Sequence, residues 1–508
     1  MITPLLLTLL FAQEGGWSPP PPPPLVPSPV QFEPRFSPFV LPDEARIVAT
    51  EEGLGAQVRL LQSVLENRTG RRIPLGEPPA KGGDFVLSLG YLADSVAGRP
   101  EAYAIEVFGD HVGLYGEDAV GVARAIARLP QLLSYDQETD SWSLPAVRID
   151  DAPANEWRGL MLDLARFPHP VDSVREAIDL AFFFSLNVVH LHLSDDQAFT
   201  FPTQLLPPRT DPGRGGAERG YQPEDIAFLV EYAQARGIEL VPEIDMPAHS
   251  SALVRARPDL FGRVDPETGE AVSTGAVNMT SAAAREAMKS LVDEVLEAFS
   301  HSRYFHLGGD EVWAPGLLKL PAYAALRDAE GLPAADDGGA MNALLNWFLT
   351  DMAAHVTEAG RQPIVWEGFR PVPNGKAVPS DVWVMAWNQR SQTPEALLAA
   401  GHPVINCCWE PLYVVPAQSW ASQPVDAFDW SPRSLRQRFA GRVANVDDDA
   451  DLRGVQICVW EQRPEAILPA LQRVIPEIAE RAWGSHATPD SFEAFDAIAA
   501  SSTAAITA

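Results

Sequence analysis

Eight short apolar runs, each closed by polar residues and most of them followed by a helical stretch, constrain this chain more than any other feature. They begin at Gly159 ("GLMLDLA"), Asn187 ("NVVHLHLSDD"), Ile238 ("IELVPEIDM"), Tyr304 ("YFHLGGDE"), Pro363 ("PIVWEG"), Val382 ("VWVMAW"), Pro403 ("PVINCC") and Gly454 ("GVQICVW"). Helical patterns such as "VDSVREAIDLAFFFS" and "SAAAREAMKSLVDEVLEAF" lie between them. Runs that stay apolar read as strands buried on both faces, as in a parallel sheet covered by helices. An open doubly wound sheet has the same periodicity, but eight strands is the count that closes into a (β/α)8 barrel of ~250 residues or more. The expected fold class is α/β: a (β/α)8 TIM barrel over 151–508, preceded by a small α+β domain over 31–150. That domain rests on the helical "GAQVRLLQSVLENRTG" and "AVGVARAIARLPQLL" and the alternating "DFVLSLG" and "YAIEVFGDHVGLYG", with a turn at Asp110–His111.

The first residues set a location. An apolar run from Leu5 to Ala12 next to Met1 reads as a signal peptide over 1–15. Residues 16–30, "GWSPPPPPPLVPSPV", read as a polyproline II linker that does not pack into a core. Together they imply export to a periplasmic or extracellular place of work. No later window approaches the ~20 apolar residues of a membrane span. With 68 acidic against 38 basic residues the net charge is -30, which argues against nucleic acid and anionic membrane surfaces as partners. Cys407, Cys408 and Cys458 form neither a disulfide framework nor a thiolate metal site; buried small apolar groups is their reading.

In such a barrel the active site lies at the C-terminal ends of the strands. Those ends hold Asp195 and Asp196, Asp245 with His249 four residues on, Asp310 and Glu311, Trp366 and Glu367, Trp387 and Asn388, Tyr413, and Trp460 with Glu461. There is no nucleophilic serine elbow, phosphate loop or basic clamp. Aromatic faces beside carboxylates suit a sugar, whose C–H face stacks on indole while its hydroxyls meet the acids. A retaining hydrolase ordinarily needs two carboxylates ~5–5.5 Å apart across the scissile bond. Asp310 and Glu311 are neighbours on one strand end and diverge, so they do not flank one bond. They suit a substrate carrying its own nucleophile, such as a 2-acetamido sugar, with one acid for the leaving oxygen and one carboxylate for the internal group. The charge on Asp310 is expected to raise the proton affinity of Glu311.

"HLGGDEVW" resembles the signature of glycoside hydrolase family 20, the β-N-acetylhexosaminidases. The resemblance extends through "RGLMLDLAR", "LNVVHLHLSDDQ" and "VPEIDMPAHS", and covers 155–485 together with the α+β segment ahead of it. It implies exo-acting, retaining, substrate-assisted removal of a terminal GlcNAc or GalNAc, with no cofactor. Glu311 would be the general acid/base, and Asp310 would hold the acetamido N–H and steady the oxazolinium ion. Tyr413 would bond the acetamido carbonyl, Trp366, Trp387 and Trp460 would wall the pocket, and Arg158 would grip ring hydroxyls. Asp196, His249 and His306 would support the acid pair. Two positions depart from the family pattern: Val415 stands where an Asp is common, and Gln462 where a Glu is common, with Glu461 one place early. Both affect residues expected on the sugar's outer hydroxyls.

Two rival readings remain. His190 and His192 share a strand face near acids, a ligand geometry that would suit a metal-dependent hydrolase; core histidines is the blander account. The altered hydroxyl contacts would also suit a barrel of this type with altered specificity, such as one releasing a disaccharide, or an inactive sugar-binding barrel, which the intact Asp310–Glu311 pair opposes.

Overall fold

The structure, a computed structural model, describes residues 24–507 except 207–219, 265–267, 269–270, 273–274, 374, 417–422, 438–440 and 485–488. The signal-peptide segment, 1–15, and the prolines up to residue 23 lie outside the described residues.

The first domain is a mixed seven-stranded sheet, in which Val147–Asp151 and Tyr103–Phe108 lie side by side and His111–Gly116 follows. Phe108 pairs with His111, so the hairpin turns on Gly109–Asp110, one residue earlier than expected. Gly109 takes the left-handed φ of 57° that such a two-residue turn requires. Helix α1 (Ala119–Leu132) starts where the Asp118 side chain accepts the N–H of Gly121 at 2.7 Å. It is buried nearly all round because the sheet covers one face and the barrel the other, and that position takes Arg124 and Arg128 fully out of solvent.

Eight parallel strands then close on themselves: β1 (Trp157–Asp163), β2 (Val188–His192), β3 (Glu239–Glu243), β4 (Tyr304–His306), β5 (Gln362–Trp366), β6 (Trp383–Ala386), β7 (Val404–Asn406) and β8 (Leu452–Val459). Strand β8 pairs back onto β1, with Trp157 opposite Gly454 and Leu162 opposite Val459, and these eight strands are the eight apolar runs. Residues two apart share a face. Val188 packs inside the barrel with Met161, Val241, Ile364 and Cys458, whereas Val189 and Leu191 pack outward under the helices. The same period turns His190 and His192 inward. Helix α2 (Val171–Phe183) follows β1, and α3 (Pro464–Trp483) follows β8. Helix α3 opens on a proline, whose missing N–H costs nothing there, and ends at Gly484 with φ 88°. A last helix, α4 (Phe492–Thr507), returns to α1 and α3.

The linker expected over 16–30 does not run free to its end. Leu25 and Val26 are buried, and the segment lies against α1 and α3. The Gln131 amide brackets Val26, accepting its N–H at 2.9 Å and donating to its carbonyl at 3.0 Å. Glu480 accepts the Ser28 N–H at 2.7 Å and Asp151 that of Val30 at 3.2 Å. A polyproline II strand makes no hydrogen bonds of its own, so side chains from the folded body can take up its free polar groups. Among the described residues no helix is long and apolar enough to cross a membrane.

Candidate active site

Strand β4 ends at His306, and the two glycines after it shape the loop that carries the acids. Gly308 (φ 70°) lies so close to Asp245 that any Cβ would overlap that carboxylate, and Gly309 (φ 100°) donates its N–H to Asp245 Oδ1 at 3.2 Å. Only glycine allows both the left-handed turn and this approach. The next two side chains diverge. Asp310 is 14% exposed and Glu311 56%, and Glu311 itself holds a left-handed φ of 50°, a strained conformation for a residue with a side chain. Asp310 Oδ1 is buried and has no hydrogen-bond partner among the described residues.

His249 stands over the pair. Its Nε2 lies 3.6 Å from Glu311 Oε2 and 4.0 Å from Asp310 Oδ2, and its Nδ1 lies 3.4 Å from Asp195 Oδ1. Burial works against a charged imidazole here, but Asp195 and Glu311 outweigh it and hold His249 protonated well above the usual histidine range. The expected rise in the proton affinity of Glu311 is not what this geometry produces. The bond to His249 holds Glu311 below the ordinary carboxylate range, and it is Asp310 that burial pushes up, with Glu243 and Glu311 adding to the push. The neighbouring imidazolium decides the sign because it lies against Glu311, while Asp310 sits deeper.

Beneath the pocket, Glu243 ends β3 fully buried. Its Oε2 meets His192 Nδ1 at 2.6 Å and His190 Nε2 at 3.0 Å; its Oε1 accepts the Trp366 indole N–H at 2.7 Å and lies 3.1 Å from His306 Nδ1. Burial raises the proton affinity of Glu243, yet His192 first, then His306 and His190, bring it well below the carboxylate range. His192 reaches on through Nε2 to Asp195 Oδ2 at 2.9 Å. An unbroken chain therefore runs from the barrel floor through His192 and Asp195 to His249 and the acid. Burial keeps His190 neutral, down to about 4. His190, His306 and Glu243 lie close enough together to hold an ion, but neither His190 nor His192 lines the pocket, so the metal reading puts its ligands under the floor and away from a substrate.

The pocket at the barrel mouth is lined by Arg166, His249, Asp310, Glu311, Trp366, Trp387, Trp409, Tyr413, Val415, Trp460 and Glu461. Trp387 donates its indole N–H to the Glu367 carbonyl at 2.7 Å. Tyr413 stacks on Trp409 at 5.1 Å, and Trp366 packs against Trp460 at 5.8 Å. The aromatic walls thus pack on one another in pairs. A larger cavity of about 700 Å³ opens at the far end of the barrel, against the first domain, where Arg303 is paired to Glu239 at 2.7 Å.

Four sequence assignments need correction. Arg158 opens β1 at the opposite end of the barrel, where its guanidinium meets Glu101 at 2.5 Å and lies 5.1 Å above the Trp483 ring; it joins the two domains and cannot reach the pocket. The arginine at the mouth is Arg166, just past the end of β1, 2.8 Å from Asp195 and 5.0 Å above Trp460. Asp196 fastens loops instead of supporting the acids, accepting the Ser251 N–H at 3.0 Å, and the carboxylate behind His249 is Asp195. Gln462 is buried behind the wall, and Glu461, turned by a φ of 56°, lines the pocket in its place. His306 supports the floor through Glu243 and does not touch the acid pair. Trp409 and Glu243 carry signals the sequence reading passed over: an aromatic four residues before Tyr413, and a glutamate two residues before Asp245 on an inward-facing position.

Residues 155–486 match the model of the glycosyl hydrolase family 20 catalytic domain, and 22–152 match that of the family's domain 2. Over 484 residues the chain is 27% identical to the beta-N-acetylhexosaminidase of Cellulomonas fimi, covering 90% of this chain and 89% of that one. The fold is shared with the Bacteroides fragilis beta-N-acetylhexosaminidase (TM-score 0.77, 24% identity, 93% of each chain). It is shared too with a Vibrio harveyi exo beta-N-acetylglucosaminidase solved with N-acetylglucosamine (TM-score 0.78, 20% identity, 97% of this chain and 79% of that one).

Proposed function

From the premise that the chain belongs to glycosyl hydrolase family 20, whose β-N-acetylhexosaminidases hydrolyse O-glycosyl bonds, we propose that it removes a terminal N-acetylhexosamine with retention, using the substrate's own acetamido group as nucleophile. One observation carries this reading: a buried acceptor without a donor among the described residues, Asp310 Oδ1, beside an accessible acid, Glu311. A buried polar atom calls for a partner, and the acetamido N–H is a donor of the right kind.

In the first step the proton shared by His249 and Glu311 sits on Glu311 as the sugar covers it, since loss of water favours the neutral pair. Glu311 gives that proton to the glycosidic oxygen while the C1–O bond breaks. The acetamido carbonyl oxygen closes on C1 from the opposite face, with its N–H held by Asp310 and its oxygen near Tyr413. Water then attacks C1, opens the oxazolinium ring and returns a proton to Glu311. The two inversions leave the β configuration unchanged. Outer hydroxyls of the sugar meet Arg166 and Glu461, because Val415 offers no polar group at that wall. Export rests on the apolar run from Leu5 to Ala12, and cell fractionation tests it.

The test is a paired assay with an aryl N-acetyl-β-glucosaminide and the matching plain β-glucoside, on wild type and Glu311→Gln. Cleavage of the acetamido substrate alone, lost in the variant, is expected. Cleavage of both would make the nucleophile a protein carboxylate, and cleavage of neither would move the chain to the sugar-binding reading.

A further inference from the structure

The loop that carries the acid ends in a large aromatic ring with nothing over it. Trp313, two residues past Glu311, is 75% exposed, and no ring among the described residues packs on it. The pocket tryptophans Trp366 and Trp387 are buried with bonded N–H groups, so Trp313 is a different kind of residue from the walls. An indole face held in water is a stacking surface for a pyranose ring.

Its place follows from the chemistry. The general acid must face the glycosidic oxygen, so the departing group lies on the Glu311 side of the pocket, away from Tyr413. Trp313 follows Glu311 by two residues on the same loop, and Arg390 stands on another loop of this end of the barrel, the one after β6. Arg390 is exposed, and its guanidinium is close enough to Glu311 to help hold that acid ionised. The second loop is fixed. The buried Glu367 carboxylate accepts the backbone N–H groups of Gln389, Ser391 and Gln392 at 3.0, 2.6 and 2.9 Å. Arg370 reinforces it by donating to the Arg390 carbonyl at 3.1 Å. The loop after β5 bridges the two: the Gly368 backbone packs on Gly309 and Asp310, and its carbonyl accepts the Ser391 hydroxyl at 3.2 Å. Neither Arg370 nor Arg390 has a carboxylate within ion-pair distance among the described residues, in a chain of net charge -30. Acids are abundant on this protein, yet these two cations at the mouth are left unpaired.

We propose that Trp313 and Arg390 form the leaving-group subsite of this hydrolase, and that it takes a sugar ring bearing a carboxylate. The ring stacks on the Trp313 face and the carboxylate meets Arg390, with Arg370 adding to the local positive field. This rests on the reading of Glu311 as the general acid. It adds a preference for what is linked to the N-acetylhexosamine, which the pocket itself does not set.

Three substrates separate the possibilities: the methyl N-acetyl-β-glucosaminide, N-acetylglucosamine β-1,3-linked to glucose, and the same sugar β-1,3-linked to glucuronic acid. Each is assayed for kcat/KM with wild type, Trp313→Ala and Arg390→Gln at low and high salt. Wild type is expected to favour the acidic disaccharide about fivefold over the neutral one at low salt, less at high salt, as for an exposed ion pair. Arg390→Gln removes that preference, lowering kcat/KM on the acidic disaccharide about fivefold more than on the neutral one. Trp313→Ala slows both disaccharides about tenfold and leaves the methyl glycoside within twofold. Equal rates on the two disaccharides in wild type overturn the proposal, as do variants that slow the methyl glycoside as much as the rest. Failure of wild type on all three acetamido substrates would instead sink the hydrolytic reading, and the methyl glycoside tells the two failures apart.

Discussion

The Trp366 indole donates its N–H to Glu243 Oε1 at 2.7 Å, so a wall of the sugar pocket is bolted to the carboxylate that also organises the histidines of the barrel floor. Trp366→Phe keeps an aromatic face but deletes that bond together with the rest of the buried indole, which adds a packing loss. One donor to a buried carboxylate is then missing, at a cost of about 1–3 kcal/mol in urea unfolding. Because the ring is no longer oriented, KM for the acetamido substrate should rise more than kcat falls.

The His249–Glu311 pair sets the pH profile. With Glu311 held low and His249 held high, the state with one proton between them spans both values, so kcat/KM should stay flat over about pH 5 to 8. In His249→Gln that proton resides on Glu311 alone. The alkaline limb should then fall into the carboxyl range, below about pH 6, with the maximum also reduced. An unchanged alkaline limb would mean that another group holds the proton.

Arg158 and Arg166 should behave as opposites. Arg158→Met leaves the Glu101 carboxylate at the domain boundary with one cation, Arg124, beside the Asn187 amide at 2.9 Å, and removal of one partner of a buried pair costs roughly 3 kcal/mol. Burial opposes the Glu101 charge, but Arg158 and Arg124 hold that group at about 2. Its stabilising contribution is thus complete above the unfolded value near 4.5 and lost as pH falls toward 2, and the variant should flatten that dependence. Its kcat/KM should remain within about twofold of wild type. Arg166→Met should instead act on binding first, raising KM at least tenfold.

Glu477, in α3, is a stability lever remote from the chemistry. Burial, with Asp496 adding to it, raises its carboxyl to about 7, and its Oε2 has no hydrogen-bond partner among the described residues. A raised folded value means the contribution is fully present below about 4.5 and is lost as pH climbs through 7. Glu477→Gln should therefore raise stability by roughly 2–3 kcal/mol at pH 8 and change little at pH 4.5, read from thermal melts at both.

The barrel strands were legible because burial on both faces leaves a continuous apolar run that few other structures produce. The residues capping those runs, Asp310, Glu311, Trp366, Trp387 and Trp460, come together at one mouth for the same reason. The misreadings share a different cause. Asp196 and Gln462 miss by one place and Arg158 lies at the wrong end of its strand. Spacing says that a strand is present but not where the chain stops alternating and turns. At Glu461 a left-handed φ rotates the neighbouring side chain into the site, which no periodicity encodes. The burial of Leu25 and Val26 was hidden for another reason: the side chain that brackets Val26 is 105 residues away in sequence.

That same segment carries a consequence for how the protein is made. Ser502 lies against Pro24, 478 residues earlier, and Glu480 grips Ser28. During synthesis the first domain emerges long before α3 and α4, so its edge stays unfinished until the ribosome has delivered those two helices. The late helices act as a clasp that closes the molecule into a ring of contacts. A circular permutant joining the two segments by a short linker and opened in an exposed loop should keep the clasp while reversing the order in which its halves appear.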